Sequence, residues 1–330
     1  AELGNGEPCI MLRSDMDGLP IKEESGETFA SENGCMHACG HDLHATVLLG
    51  AARLLKEHEA EIEGTVKLLF QSGEEIFNGA KAAIEAGVME NPKVDAAFAM
   101  HVGSTLNHNV IIYSEYPMSS VYGFKIEYTG KGTHGSTPEQ GIDPLIAGAN
   151  LCIALQELIA RESDPTHSCV LTIGQFAGGT AANIIPETAV LQGTIRTNKP
   201  EARELLVRRM KEVAEKTAAV YNGTVDIEMI SEVPPLICNP KLTDEVVGYM
   251  QELGIPGLTP YPGISASASE DFAVIAEKVP STFMYLSAGY LDERGQYPAH
   301  HPKAQFNEDV CPIGAACLAH CASQWLKNNK

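Results

Sequence analysis

The stretch His37-Ala38-Cys39-Gly40-His41-Asp42-Leu43-His44 places one thiol and three imidazoles within eight positions. Downstream stand the paired carboxylates Glu74-Glu75, then His101, then the pair His300-His301. Thiolate, neutral imidazole and carboxylate are the side chains that bind zinc-like divalent ions. A Cys-x-His spacing lets two donors converge from one tight turn, and a glycine between them lets the backbone bend without a Cβ clash. For this stretch alone, a histidine-rich surface turn is the plain alternative. Two adjacent glutamates have a chemical logic of their own. One can hold an ion while its neighbour, pointing elsewhere, serves as a base on an activated water. A solvated loop pair is the alternative there.

The elements that must position these residues follow from the apolar patterning. Glu74-Glu75 comes after residues 64–71, a β-branched and apolar run that reads as a buried strand. His101 ends a second such run, 94–100. A third, 10–15, precedes the Cys39–His41 turn, which itself leads directly into a helix over 43–58. In parallel α/β sheets the carboxyl ends of the strands line one edge, where ligands collect. Polar donors recurring at strand ends therefore predict one site assembled from distant sequence.

From residue 121 the pattern changes. It predicts strand 122–128, helix 144–161, strands 169–176 and 189–197, helix 201–221 and strand 224–230. That β-α-β-β-α-β order fits a small split βαβ sheet of ferredoxin-like type. Leu145, Ala149, Ile153, Leu155 and Leu158 are the expected buried face of its first helix. Pro234-Pro235 and Pro240 mark the return to the larger domain, where helices at 242–253, 269–278 and 312–326 alternate with strand 282–286. The expected organisation is a discontinuous three-layer α/β domain of residues 1–118 and 231–330, with an inserted α+β domain at 119–230.

Composition narrows the class. A chain of 330 residues, 44% hydrophobic and 20% charged, can bury a sizeable core and is expected to form two domains. There is no apolar span of about 20 residues and no basic-then-apolar start. Neither a membrane protein nor an unprocessed secreted one is indicated. Nine cysteines, odd in number and scattered, fit reduced cytoplasmic thiols better than a disulfide framework. A net charge of −20 disfavours nucleic acid, which needs clustered Lys and Arg. It says little of the substrate, because a metal site sets its own potential.

The chain resembles the amidohydrolase branch of the aminoacylase and carboxypeptidase superfamily of dinuclear metallohydrolases, which contains hippurate hydrolases and N-acyl-amino-acid deacylases. The resemblance rests on Arg13-Ser14-Asp15-Met16-Asp17-Gly18-Leu19-Pro20, His37-Ala38-Cys39-Gly40-His41-Asp42, Gly73-Glu74-Glu75, Met100-His101, Gly130-Lys131-Gly132-Thr133-His134-Gly135, Asn183-Ile184-Ile185-Pro186, Ser269-Glu270-Asp271-Phe272 and His300-His301-Pro302. These run in family order across essentially the whole chain.

The resemblance implies a metallopeptidase-like catalytic domain with an inserted lid and dimerisation domain, hence a homodimer or homotetramer. It implies two divalent ions per subunit, zinc, manganese, cobalt or nickel, acting on N-acyl amino acids. Cys39, His41, Glu75, His101 and His300 match the family's ligand positions, with one donor bridging and water completing the shells. Glu74 is then the general base, passing a proton from the attacking water to the departing amine. Asp17 would orient a ligand histidine through its ring N–H, a plain turn carboxylate being the alternative.

His134 would steady the oxyanion of the tetrahedral intermediate, typically in the partner's site. Asn183 and Arg196 would bind the substrate's free carboxylate, with a structural ion pair equally open for Arg196. His37 and His44 flank the ligands, and His301 is the weaker of its pair. Relatives usually carry more residues ahead of the Arg-x-Asp strand than the eight here, so a fragment or processed chain is expected, with one wall of sheet or site affected. A dipeptidase or carboxypeptidase of the same superfamily is the rival enzyme. A metal-binding scaffold without catalysis is the rival from another class, although Glu74 and all five ligand positions are present.

Overall fold

The computed structural model describes residues 1–107, 110–263 and 266–330. The chain divides into two compact units, Ala1–Pro117 with Leu236–Ser265 and Asp271–Lys330, and Met118–Pro235 with Ala266–Glu270. In chain order the first unit contains β1 (Glu2–Gly4), β2 (Cys9–Asp15), α1 (His41–Glu57), β3 (Thr65–Gln71), α2 (Gly79–Glu85), β4 (Ala96–Asn107) and β5 (Val110–Tyr113). The second contains β6 (Val121–Thr129), β7 (Thr133–His134), α3 (Pro144–Glu157), β8 (Cys169–Gly178), β9 (Ile184–Ile185), β10 (Thr188–Thr197), α4 (Pro200–Val220) and β11 (Thr224–Val233). The first unit resumes with α5 (Pro240–Glu252), β12 (Thr259–Pro262), α6 (Phe272–Ala276), β13 (Ser281–Gly289) and α7 (Cys311–Asn328).

The first unit's sheet has the order β1-β3-β2-β4-β13-β5-β12. Its centre is parallel: β2 pairs with β3 from Cys9↔Thr65 to Asp15↔Gln71 and with β4 from Ile10↔Ala96 to Arg13↔Ala99. All seven residues of β2 are buried, which explains the apolar run 9–12 that opens it, since a central parallel strand is covered on both faces. Ile10, Leu12, Val66, Leu68, Phe98 and Met100 point to one face, packed with Val47 and Leu48 of α1, Val246 of α5 and Leu318 of α7. On the other face Arg13 lies over the Phe272 ring at 5.9 Å, and Ala80 of α2 donates its N–H to Asp271. Helices on both faces of one sheet make three layers.

Lys67 shows how this fold admits a buried charge. Its ammonium donates to the carbonyls of Val88, Glu90 and Pro92 at 3.0, 2.9 and 2.9 Å, so all three protons are used and the turn entering β4 is tied down.

The second unit is an antiparallel sheet ordered β11-β6-β10-β8. Phe124, Ile126, Leu191, Leu151, Leu206 and Met210 form its core beneath α3 and α4. The expected face of α3 is corrected. Ala147, Leu151, Leu155 and Leu158 are buried whereas Ile153 is 72% exposed. The helix is apolar almost all round, so periodicity cannot select the face that meets the sheet; Gly148 does, because a Cβ there would stand 2.8 Å from Phe176. Its α-helical part also ends at Glu157, and residues 158–162 form a π turn.

The helix expected over 269–278 is only α6, residues 272–276. Asp271 cannot cap it, because its carboxylate is taken by Arg13, Gln71 and Ala80, and Pro280 biases the chain before it away from helix. Strands β1, β5 and β12 escaped the sequence reading because they are short; β12 carries Pro260 and Pro262, which suit an edge strand. Among the described residues no helix is long and apolar enough to cross a membrane. All nine cysteines are free thiols.

Candidate metal centre

The turn ahead of α1, the residues after β3, the middle of β4 and the loop bearing His300 converge in the first unit. Gly40 makes the first turn possible. It adopts φ 84°, and a Cβ there would lie 2.5 Å from Val102 Cγ2 and 3.1 Å from the Phe306 ring. Both the left-handed backbone and the space demand glycine. Gly40→Ala is expected to cost about 3 kcal/mol, combining about 1–2 kcal/mol of backbone strain with about 1–3 kcal/mol of overpacking. Denaturant unfolding checks this, and a loss below about 1 kcal/mol would show that the turn yields.

The same turn holds His300. The His300 N–H donates to the Ala38 carbonyl at 2.8 Å, and His300 sits at φ 66°, a region that residues other than glycine seldom adopt. Such local strain collects at functional sites.

The histidine tautomers follow from what their nitrogens face. A carbonyl only accepts, so His101 Nδ1 donates to Val102 O at 2.6 Å and turns a lone pair on Nε2 toward Cys39 Sγ, 3.6 Å away. His41 Nδ1 likewise faces the Asp17 carbonyl at 3.1 Å and Asp17 Oδ1 at 3.3 Å. Its Nε2 then faces Asp15 Oδ2 at 3.7 Å and Glu75 Oε1 at 3.9 Å. Asp17 also accepts the Glu75 N–H at 3.0 Å. Glu75 Oε1 in turn stands 3.4 Å from His300 Nε2.

Among the groups of donor atoms that lie within 4.8 Å of one another are Cys39, His41 and His101; Cys39, Glu75 and His300; and His41, Glu74 and Glu75. The first two share Cys39. Bonds of about 2.0–2.3 Å to a tetrahedral ion place neighbouring donors about 3.3–3.8 Å apart, close to the separations seen here. Three buried atoms, Asp17 Oδ1, His41 Nε2 and Glu75 Oε1, have no hydrogen-bond partner among the described residues. Each such atom costs about 1–3 kcal/mol unless something occupies it. The set fits divalent cations of the zinc type, whereas magnesium and calcium favour oxygen alone.

The electrostatics agree. Burial opposes the charged form of His41, but the carboxylate of Asp17 beside its Nδ1 and the charges of Asp15 and Glu75 outweigh it and push His41 up to about 9. These carboxylates call for a positive charge at Nε2, and a dication must displace that proton to bind. Burial, with His44 beside it, holds His101 well below its ordinary value, as a neutral ligand requires. The Glu75 carboxylate, 3.4 Å from its Nε2, raises His300 despite partial burial. Burial would raise Asp17, but the His41 ring beside it and the hydrogen bond from the Glu75 N–H leave it lowered.

Glu74 is 6% exposed, and its Oε1 lies 3.4 Å from the Asp271 N–H. His37 is exposed, with Nε2 3.3 Å from the Met16 carbonyl. His301 stacks on Tyr297 and accepts the Lys303 N–H at Nδ1, so that nitrogen is spent. The sequence reading assigned no role to Arg13, Asp15, Gln71 and Asp271, which form one buried network. Its signal was present, because charges inside an otherwise apolar strand must be paired.

His134, Asn183 and Arg196 belong to the second unit. His134 Nδ1 accepts the Ser136 N–H at 3.1 Å and the Ser136 hydroxyl at 2.7 Å. Its hydrogen is therefore on Nε2. Asn183 is exposed on the same β7–β9 ribbon, its carbonyl taking the Gly135 N–H at 2.8 Å. Arg196 donates to Ser269 Oγ at 2.7 Å and makes no ion pair among the described residues. Burial lowers its pKa.

A three-layer α/β unit carrying clustered thiol, imidazole and carboxylate donors has the form of a metallohydrolase. The chain belongs to peptidase family M20/M25/M40, whose family model matches residues 11–324. It is 35% identical over 325 residues to N-acetyl-L-cysteine deacetylase of Bacillus subtilis (strain 168), covering 98% of this chain and 76% of that relative. It is 38% identical over 327 residues to IAA-amino acid hydrolase ILR1-like 5 of Arabidopsis thaliana, covering 97% and 74%. Among solved structures, the Bacillus subtilis YXEP protein, described as a dinuclear metal binding peptidase from the M20 family, matches with a TM-score of 0.83 at 32% identity, covering 99% of this chain and 84% of that one. The protein is a metal-dependent hydrolase of amide bonds.

Proposed function

We propose that this protein hydrolyses the amide bond of N-acyl amino acids, N-acetyl, N-benzoyl or similar. The observation that carries the reading is a buried Glu74 beside donors whose facing atoms, His41 Nε2 and Glu75 Oε1, lack hydrogen-bond partners among the described residues. Cys39, His41, Glu75, His101 and His300 would hold two divalent ions, zinc, manganese, cobalt or nickel. When bound, the ions lower the pKa of water and polarise the scissile carbonyl.

Asp17 fixes His41 through Nδ1, so that Nε2 faces the ligand cluster. Glu74 takes the proton of the attacking water and delivers it to the departing amine. His134, with its hydrogen on Nε2, donates to the developing oxyanion. Asn183 and Arg196 receive the free carboxylate, for which a guanidinium with no carboxylate partner in its own unit is suited. Ile146 and Ile153, exposed on α3 beside the edge strand β8, support a homodimer through the second unit. Nine free thiols support a reducing compartment.

The test is amine release from a panel of N-acetyl and N-benzoyl amino acids, run beside dipeptides. N-acyl substrates are expected to turn over faster, chelation to abolish activity, and added divalent ion to restore it. Full activity in metal-free protein overturns the metal reading; preference for dipeptides overturns the substrate.

A further inference from the structure

β13 pairs with β4 through His101 and Val102, but on the other side of β4 the strand pairing stops short of the candidate metal centre. β2 pairs with β4 only as far as Arg13↔Ala99, so Val102 lies beyond its reach. There the Val102 N–H donates to His44 Nε2 at 2.8 Å, while the Val102 carbonyl accepts from His101 Nδ1 at 2.6 Å. An N–H can only donate, so His44 Nε2 must accept and its hydrogen must sit on Nδ1. That hydrogen is given to Asp15 Oδ1 at 2.5 Å. Asp15 Oδ2 is held by Arg13 at 2.9 Å, and Arg13 by Gln71 at 3.0 Å and Asp271 at 2.8 Å. His44 and Asp15 are 2% and 1% exposed. The His44 ring also packs edge-on against His101, centroids 4.4 Å apart.

We propose that Asp15 and His44 are positioning residues for His101, acting through the backbone of Val102. His44 replaces the missing strand partner, and Asp15 fixes the tautomer in which it can do so. Val102 is thereby clamped between two imidazoles, and His101 is left with one orientation, Nε2 toward Cys39. His44 stands with Asp15 and His41 in a group that could hold a cation, but both of its ring nitrogens are spent, so it is not a ligand.

The inference rests on His101 binding a metal, and the test separates the two. Zinc-loaded protein is titrated with a competing chelator, comparing wild type, His44→Leu and His44→Gln. Glutamine can still offer an oxygen to the Val102 N–H; leucine cannot. His44→Leu is expected to weaken zinc binding about 10–100-fold with the number of ions per chain unchanged, and His44→Gln to recover most of that loss. Equal affinity in wild type and both variants, with melting temperature alone reduced, overturns the inference. Loss of one ion from His44→Leu overturns it too, because His44 would then be a ligand.

Wild-type protein that takes up no divalent ion overturns the metal reading and the inference with it. Should His44→Leu fail to fold, imidazole 15N NMR of wild type decides. His44 is expected as the Nδ1–H tautomer with and without zinc, and an Nε2–H signal, or one shifted by zinc coordination, overturns the assignment.

Discussion

Replacing Glu74 by glutamine is expected to lower turnover at least about 100-fold while leaving bound metal in place. Glutamine keeps the size of the side chain and can still accept the Asp271 N–H that reaches Glu74 Oε1, but it cannot take a proton from water. Glu75→Gln is the contrasting change. Glu75 Oε1 faces both His41 Nε2 and His300 Nε2, so the neutral amide should weaken metal binding first and turnover as a consequence. Metal content by elemental analysis, measured beside kcat, separates the two adjacent residues. Near-normal turnover in Glu74→Gln would place the base elsewhere.

His134→Ala is expected to fold and bind metal normally yet lose about 100-fold in turnover, as for the removal of one oxyanion donor. Ser136 holds the ring with its hydrogen on Nε2, which is the form such a donor needs. A mixing experiment tests whether His134 serves the partner's site. If it acts across a dimer, a His134→Ala subunit with intact Glu74 and a Glu74→Gln subunit with intact His134 together make one competent site. Random exchange of equal amounts makes about half the dimers mixed, each with one good site of two, and so restores about a quarter of wild-type activity. If His134 acts within its own subunit, every site keeps one defect. No recovery, with exchange confirmed by mass spectrometry, rules out the trans role.

Much of the candidate site was legible because its chemistry resides in residue types. Cys39, His41, Glu75, His101 and His300 are of donor types whatever surrounds them, and the expected strand ends and the Cys-Gly-His turn made convergence an expectation. His101, however, lies in the middle of β4, which runs on to Asn107, and not at its end. The strands themselves were legible where burial leaves a continuous apolar run, as in β2. The short edge strands were not, since four residues containing two prolines carry no such pattern. Nor was the buried side of α3, because a helix apolar all round says nothing of direction.

The sequence by itself determined which side chains are available as the proposed donors, the carboxylate beside them that we propose as base, and the order of the elements that carry them. Only the tertiary structure decided what each histidine does. His41 and His44 lie three residues apart on one helix, and local sequence treats them alike. The partners of His41 leave its Nε2 toward the ligand cluster, whereas Asp15 and Val102 consume both nitrogens of His44. The reason is that a ring nitrogen donates or accepts according to the group it faces. Those groups come from segments distant in the chain.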